Sequence, residues 1–255
     1  MGVQVLTASI QNHEQTTNMI SSGKYIKNTE SLENSLIDEV TGDNLSELLI
    51  EGAEITLEYF MEEGVLKEIP FFGTLYKGAK AVLGIHERIF AKKVFSFLVE
   101  LKDIPTKKRK DFINKLEMDN EFRQNVGEKL IVLLEQLDDI EKPIIIGKLF
   151  KAAINESISY EDFLRLSAIV EKAFLPDLIK LKSYPSIRGI NKVIEEQFVA
   201  IGIYSMKLLN NERGRSLASR FTLGGSNINE QLKIPPILKF ELNNLGKSLI
   251  EYGLK

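Results

Sequence analysis

One stretch constrains this chain more than any other: Ile69–Leu101, IPFFGTLYKGAKAVLGIHERIFAKKVFSFLVEL. It is too apolar for an ordinary surface helix and too charged for a plain membrane span. Pro70 suits the first turn of a helix, where no N–H bond is lost. From there Phe71, Phe72, Leu75, Ala79, Val82, Leu83, Ile85, Ile89, Phe90, Val94, Phe95, Phe97 and Leu98 recur at helical spacing. Thr74, Lys77, Ala81, Gly84, Arg88 and Lys92 fall on another face at steps of three and four. One face is greasy; the other is small and cationic. Two readings follow. In the first, the stretch is a helix or hairpin buried in a soluble bundle with its lysines in water. In the second, it enters or lies on a membrane, led by Phe71 and Phe72, while the small cationic face lines a pore or packs on copies of itself. No run of 18 apolar residues exists, so a constitutive transmembrane helix is not expected.

The 44% apolar fraction of this 255-residue chain predicts a packed core, in one large or two small domains. With no cysteine, disulfides, a Cys nucleophile and thiolate metal sites are excluded. His13 and His86 are the only histidines, too few for a multi-histidine metal site. The start, MGVQVLTASIQNHEQ, lacks a basic region followed by an apolar core, so a cytoplasmic protein is expected. Charge is strongly segregated. Between Thr29 and Glu68 lie twelve acidic residues against Lys67 alone; between Tyr76 and Lys115 lie eleven basic residues against four acidic ones. Neighbouring blocks of opposite sign suggest pairing within the chain.

Residues 1–28, rich in Asn, Gln, Ser and Thr, read as a flexible or weakly helical arm. A helical domain is expected over 29–156. It begins with a short helix from Ser31 to Val40, ended by Gly42. The next helix, roughly 44–63 behind an Asp43 cap, carries Glu47, Glu51, Glu54, Glu58 and Glu62 as one acidic stripe. Lys77, Ala81, Gly84, Arg88 and Lys92 follow nearly the same steps, so the stripe is read either as a solvated face or as an autoinhibitory clamp on the cationic face. Downstream, Thr106 can cap a helix through about Glu117 that opens on Lys107, Lys108, Arg109 and Lys110. Cations there oppose the helix dipole. They read as a solvated end or as contacts to anionic lipid headgroups. Helices over about 119–137 and 140–154 have strong apolar faces and look like core helices of an antiparallel bundle.

From Ser159 the character changes. Ser159-Tyr-Glu-Asp is a capping-box start, followed by helices to about Phe174, over Pro176–Leu181, and over about 186–198. Gly202-Ile-Tyr-Ser-Met-Lys-Leu-Leu and Leu238-Lys-Phe-Glu-Leu read as two strands joined by the long polar connection 210–236, and Asn243 caps a last helix. Phe240-Glu-Leu-Asn-Asn-Leu-Gly-Lys-Ser-Leu-Ile-Glu-Tyr resembles the strand-to-helix signature that follows the wing in winged-helix domains. Phe198-Val-Ala-Ile-Gly-Ile-Tyr resembles the end of the recognition helix running into the hairpin. The resemblance implies a winged-helix-like domain over 157–255 with a small β-hairpin; the long wing departs from the compact pattern. In the third helix Arg188 and Lys192 are offset by Glu195 and Glu196, whereas the wing supplies Lys207, Arg213, Arg215, Arg220 and Lys233. These read either as contacts to a nucleic-acid strand or nucleotide ligand, or as a charged loop on a protein-interaction module.

No motif in the sequence makes a convincing catalytic constellation. Gly246-Lys247-Ser248 lacks the upstream glycine and the preceding strand-to-loop context of a P-loop, and His86-Glu87 has no second histidine four residues on. A non-enzymatic protein without cofactor or metal is expected. The fold class expected is mainly α: an N-terminal helical bundle with an amphipathic, membrane-active hairpin, plus the winged-helix-like domain. This layout is similar to bacterial membrane effectors of antiphage defence, of the Hailong effector type. That architectural resemblance implies a homo-oligomeric ion-conducting pore, inner-membrane association, and a single-stranded DNA or oligonucleotide ligand that holds the assembly inactive; no functional residue is carried over from it. The alternative is a soluble winged-helix DNA-binding regulator with a helical oligomerisation domain, and a third reading is a protein-binding scaffold.

Overall fold

The computed structural model describes residues 24–43, 69–78, 84–118, 126–183, 192–209 and 237–255. Over these residues the protein is mainly helical, with one two-stranded antiparallel sheet. The chain divides into two compact units, Met1–Pro143 and Ile144–Lys255.

The first unit contains α1 (Lys24–Thr41), α2 (Pro70–Gly78), α3 (Ile85–Val99), α4 (Thr106–Met118), α5 (Val126–Gln136) and the first residues of α6 (Lys142–Ile154). Helix α1 starts at Lys24, inside the stretch read from sequence as an arm, and ends where expected, at Gly42. A Cβ at position 42 would lie 2.8 Å from the Asp38 carbonyl oxygen, so only glycine fits the turn that stops the helix. Helix α1 is the hub: it packs against α2, α4 and α5, while α3 packs on α5. Leu36 and Val40 of α1 are fully buried in a core shared with Phe71, Phe72, Val94, Phe97, Leu130 and Leu134. The acidic helix expected over 44–63 lies outside the described residues.

The 69–101 stretch contains two helices rather than one continuous run. Gly84, with φ −68° and ψ 173°, is extended and starts α3 afresh. Among the described residues no helix is long and apolar enough to cross a membrane.

The second unit contains most of α6, then α7 (Tyr160–Lys172), α8 (Leu175–Leu181), α9 (Lys192–Ala200), β1 (Tyr204–Leu209), β2 (Ile237–Leu242) and α10 (Asn244–Ser248), which runs into a π-helical turn over Leu249–Leu254. The caps expected at Ser159 and Asn243 form, whereas Thr106 is itself the first residue of α4. The Asp162 N–H donates to Ser159 Oγ at 3.0 Å, and the Gly246 N–H donates to Asn243 Oδ1 at 2.9 Å. Asn243 Nδ2 also donates to the Gly202 carbonyl at 2.7 Å, tying the start of α10 to the turn before β1. That turn needs a glycine, since Gly202 has φ +87°. The strands pair from Tyr204↔Leu242 to Leu209↔Ile237.

Packing then fixes these pieces together. Helix α9 packs on β1, with Phe198 stacked on Tyr204 at 5.5 Å. A Cβ on Gly246 would sit 2.5 Å from both the Ile203 carbonyl oxygen and Leu242 Cδ1, so α10 lies against the strand ends as closely as backbone allows. On α6, Phe150 meets Phe163 at 5.1 Å, and Phe163 stacks on Tyr160 at 5.6 Å. Burial pushes the Tyr160 phenol up to about 12.

Candidate functional site

The 69–101 stretch has two environments along its length. Phe71 and Phe72 are fully buried with rings 5.2 Å apart edge to face, and Phe90 lies 6.2 Å from Phe71. Thr74 faces α1: its Oγ1 donates to the Pro70 carbonyl at 2.9 Å and shares a 3.1 Å hydrogen bond with Ser35 Oγ. The far half of α3 is sealed as well, with Ala91, Val94, Phe97 and Leu98 buried. Its first turns are different. Gly84, His86, Glu87 and Arg88 are exposed, and so are Ile85 at 73% and Ile89 at 40%. Ile85 and Ile89 are four residues apart, so they share a face, with Arg88 beside them. Lys92 is half-buried. The side chain of Lys77 and all of Ala81 lie outside the described residues, as do Glu47, Glu51, Glu54, Glu58 and Glu62.

Not every cation of the basic block faces water. In α4, Lys107, Lys108 and Lys110 are exposed, but Arg109 is only 1% exposed. Its Nη2 donates to the Gly42 carbonyl at 3.0 Å and to Thr106 Oγ1 at 3.1 Å; its Nε and Nη1 are buried with no hydrogen-bond partner among the described residues. The guanidinium therefore closes the C-terminal end of α1, where unpaired carbonyls concentrate partial negative charge. Lys110 and Asp43 make a 3.8 Å ion pair between the same two elements. The two blocks of opposite charge thus meet at the end of α1. Glu39, one turn inside, is 4% exposed. Burial pushes its carboxyl up to about 7, with Arg109 pulling it down and Asp38 pushing it further up.

Lys93 does for α5 what Arg109 does for α1. Its Nζ donates to the Glu135 carbonyl at 2.9 Å and to the Leu137 carbonyl at 2.5 Å, closing the C-terminal end of that helix. Burial holds its pKa below the usual lysine range, against the pull of Glu135 and Asp138. Lys93→Met is expected to destabilise the protein by about 1–3 kcal/mol, because two inward carbonyls lose their donor. A urea-midpoint shift measures this; an unchanged midpoint would mean those carbonyls reach water.

These inward cations are the residues that the sequence reading missed. Arg109, Ile113 and Leu116 are spaced i, i+4 and i+7, and all three are buried. Lys93 likewise lies four residues before Phe97. That spacing was the available signal, masked by the basic run around Arg109.

In the second unit, Lys207 lies in β1 and its ammonium is 2.6 Å from Glu241, which Lys239 also approaches at 2.6 Å. The two lysine hydrogen bonds hold the Glu241 carboxyl down to about 2. Arg213, Arg215, Arg220 and Lys233 lie outside the described residues. The register puts Tyr204, Met206 and Leu208 on one face with Leu242, Phe240 and Leu238. That face is buried at Tyr204 and Leu242 but exposed at Met206, Leu208 and Leu238. Among the described residues, no group of His, Asp or Glu is arranged to hold a metal.

Comparison with known proteins returned no match: no family model fits the chain, and neither a characterised protein nor a solved structure is similar to it.

Proposed function

We propose that this chain is a membrane-active effector of antiphage defence. In this reading it forms a homo-oligomeric pore at the inner membrane and is held inactive until a nucleic-acid or nucleotide signal changes. The observation that carries the reading is the division of α3. Its first turns hold Ile85 and Ile89 in water beside Arg88, while its far half and Phe71–Phe72 are packed away. An apolar pair flanked by a cation is what an interfacial helix offers to an anionic bilayer. The packed half is the part that an activating signal would release. Residues 157–255 supply the sensor as a winged-helix-like module, supported by the order helix–helix–helix–strand–strand–helix.

Flotation with dye-loaded vesicles containing phosphatidylglycerol tests this. The full chain is expected to float and to release dye. Ile85→Glu with Ile89→Glu, both at exposed positions, is expected to lower vesicle binding at least about tenfold, since each apolar side chain entering lipid contributes ~1.5–3 kcal/mol. A chain that neither floats nor releases dye overturns the reading. The element order of the second unit equally favours a soluble winged-helix regulator. That reading predicts salt-dependent duplex binding without vesicle binding.

A further inference from the structure

We propose that the outer edge of β2 pairs with β2 of a second copy of this chain, antiparallel about Phe240, giving one sheet in the order β1-β2-β2-β1. The observed register supplies the geometry. The Asn243 N–H donates to the Ile203 carbonyl at 3.1 Å, so Ile203 and Asn243 are a hydrogen-bonded pair. Alternation from that pair turns the backbone N–H and C=O groups of Leu238, Phe240 and Leu242 away from β1. Among the described residues no backbone hydrogen bond reaches them and no third strand joins the sheet. Such an edge is a template for a further strand, and a sheet of two strands is marginal in water.

The side chains of β2 select the strand that fits. Centred on Phe240, the pairing sets Phe240 opposite Phe240, Leu238 opposite Leu242, and Lys239 opposite Glu241 of the second copy. Apolar residues meet apolar ones, and each lysine meets an acid. Centring on Lys239 or Glu241 instead sets like charges opposite each other. Strand β1 offers no such match, because Tyr204–Leu209 contains Lys207 but no acid. Paired with itself, it would place Lys207 opposite Ser205 or opposite another Lys207. The β2 contact is therefore isologous: the same patch serves both copies, and the pair closes as a dimer. It also continues the apolar face across both copies, on the side where Leu238 is exposed and Phe240 half-buried. Within one chain, Lys207 and Lys239 each lie 2.6 Å from Glu241, so the charged row is already ordered on the opposite face.

The contact deepens the homo-oligomer proposed above and rests on that reading in requiring copies to meet. It is measured without lipid, so a failed pairing and a failed pore are read separately. The chain has no cysteine, so single cysteines report cleanly. In the full chain under mild oxidation, Phe240→Cys is expected to form a covalent dimer, because opposed residues of a hydrogen-bonded pair lie ~5.5 Å apart at Cα. Met206→Cys, three strand spacings or ~14 Å from its counterpart, is expected not to cross-link. Sedimentation equilibrium of cysteine-free chains supplies the second measurement. Lys239→Glu leaves Lys207 to serve both acids within the chain but opposes acid to acid across the axis; self-association is expected to weaken ~10-fold. Adding Glu241→Lys to Lys239→Glu exchanges the two charges and is expected to restore it. A wild-type chain that stays monomeric, or Lys239→Glu associating as tightly as wild type, overturns the pairing. An assembly in which Phe240→Cys folds but does not cross-link also overturns it, by placing the contact elsewhere.

Discussion

Arg109→Ala is expected to destabilise the first unit by about 3–5 kcal/mol at pH 8.5, the scale set by removing one member of a buried charged cluster. Three losses combine. The Gly42 carbonyl at the end of α1 loses its donor, Thr106 Oγ1 loses a second hydrogen bond, and a side chain only 1% exposed leaves unfilled volume. Glu39 then faces burial without its compensating cation, and its carboxyl should titrate still higher. That gives the prediction a pH signature. At about pH 5.5 Glu39 is protonated in either protein, so the deficit should shrink; at pH 8.5 it should be largest. Arg109→Met separates packing from charge. It fills much of the volume and removes two donors that have no hydrogen-bond partner among the described residues, so it should be milder than alanine. Urea denaturation at the two pH values measures all of this. A deficit under about 1 kcal/mol at both would mean that the guanidinium is replaceable by water and that the α1–α4 contact is not organised around it.

Phe150→Ala is expected to have an effect of similar size, about 3–5 kcal/mol, in the second unit. Phe150 is fully buried and meets the edge of Phe163 at 5.1 Å; Phe163 in turn stacks on Tyr160 at 5.6 Å. Removing the first ring opens a cavity and takes away the partner that orients the other two. Tyr160 directly follows the Ser159 cap, so a shift of the aromatic trio reaches the start of α7. Phe150→Leu keeps most of the volume and should be distinctly milder. Thermal unfolding followed by circular dichroism gives the comparison. Equal midpoints for wild type and Phe150→Ala would show that the neighbouring side chains collapse into the space.

Local chemistry made much of the helical framework readable. The stops and starts at Gly42, Ser159 and Asn243 were visible because a cap or a glycine turn needs only residues within four positions of itself. The alternation of Tyr204-Ser-Met-Lys-Leu and Leu238-Lys-Phe-Glu-Leu likewise announced a pair of strands, and the register puts the apolar set on one face. Gly84 was harder. Helical spacing runs straight through it, and only the extended backbone of Gly84 shows that α3 starts there as a helix of its own.

Local pattern was enough for several of the described helices, for the pair of strands, for some of their ends, and for the segregation of opposite charge along the chain. Only the tertiary structure decided which charges are enclosed. Arg109 was indistinguishable from Lys107, Lys108 and Lys110 until a carbonyl 67 positions away was brought to it, and Lys93 from Lys92 until the end of α5 arrived from 42 and 44 positions away. The reason is physical: periodicity reports only which face of a helix is apolar. A cation goes inside when packing delivers unpaired carbonyls to it, and those carbonyls belong to other helices.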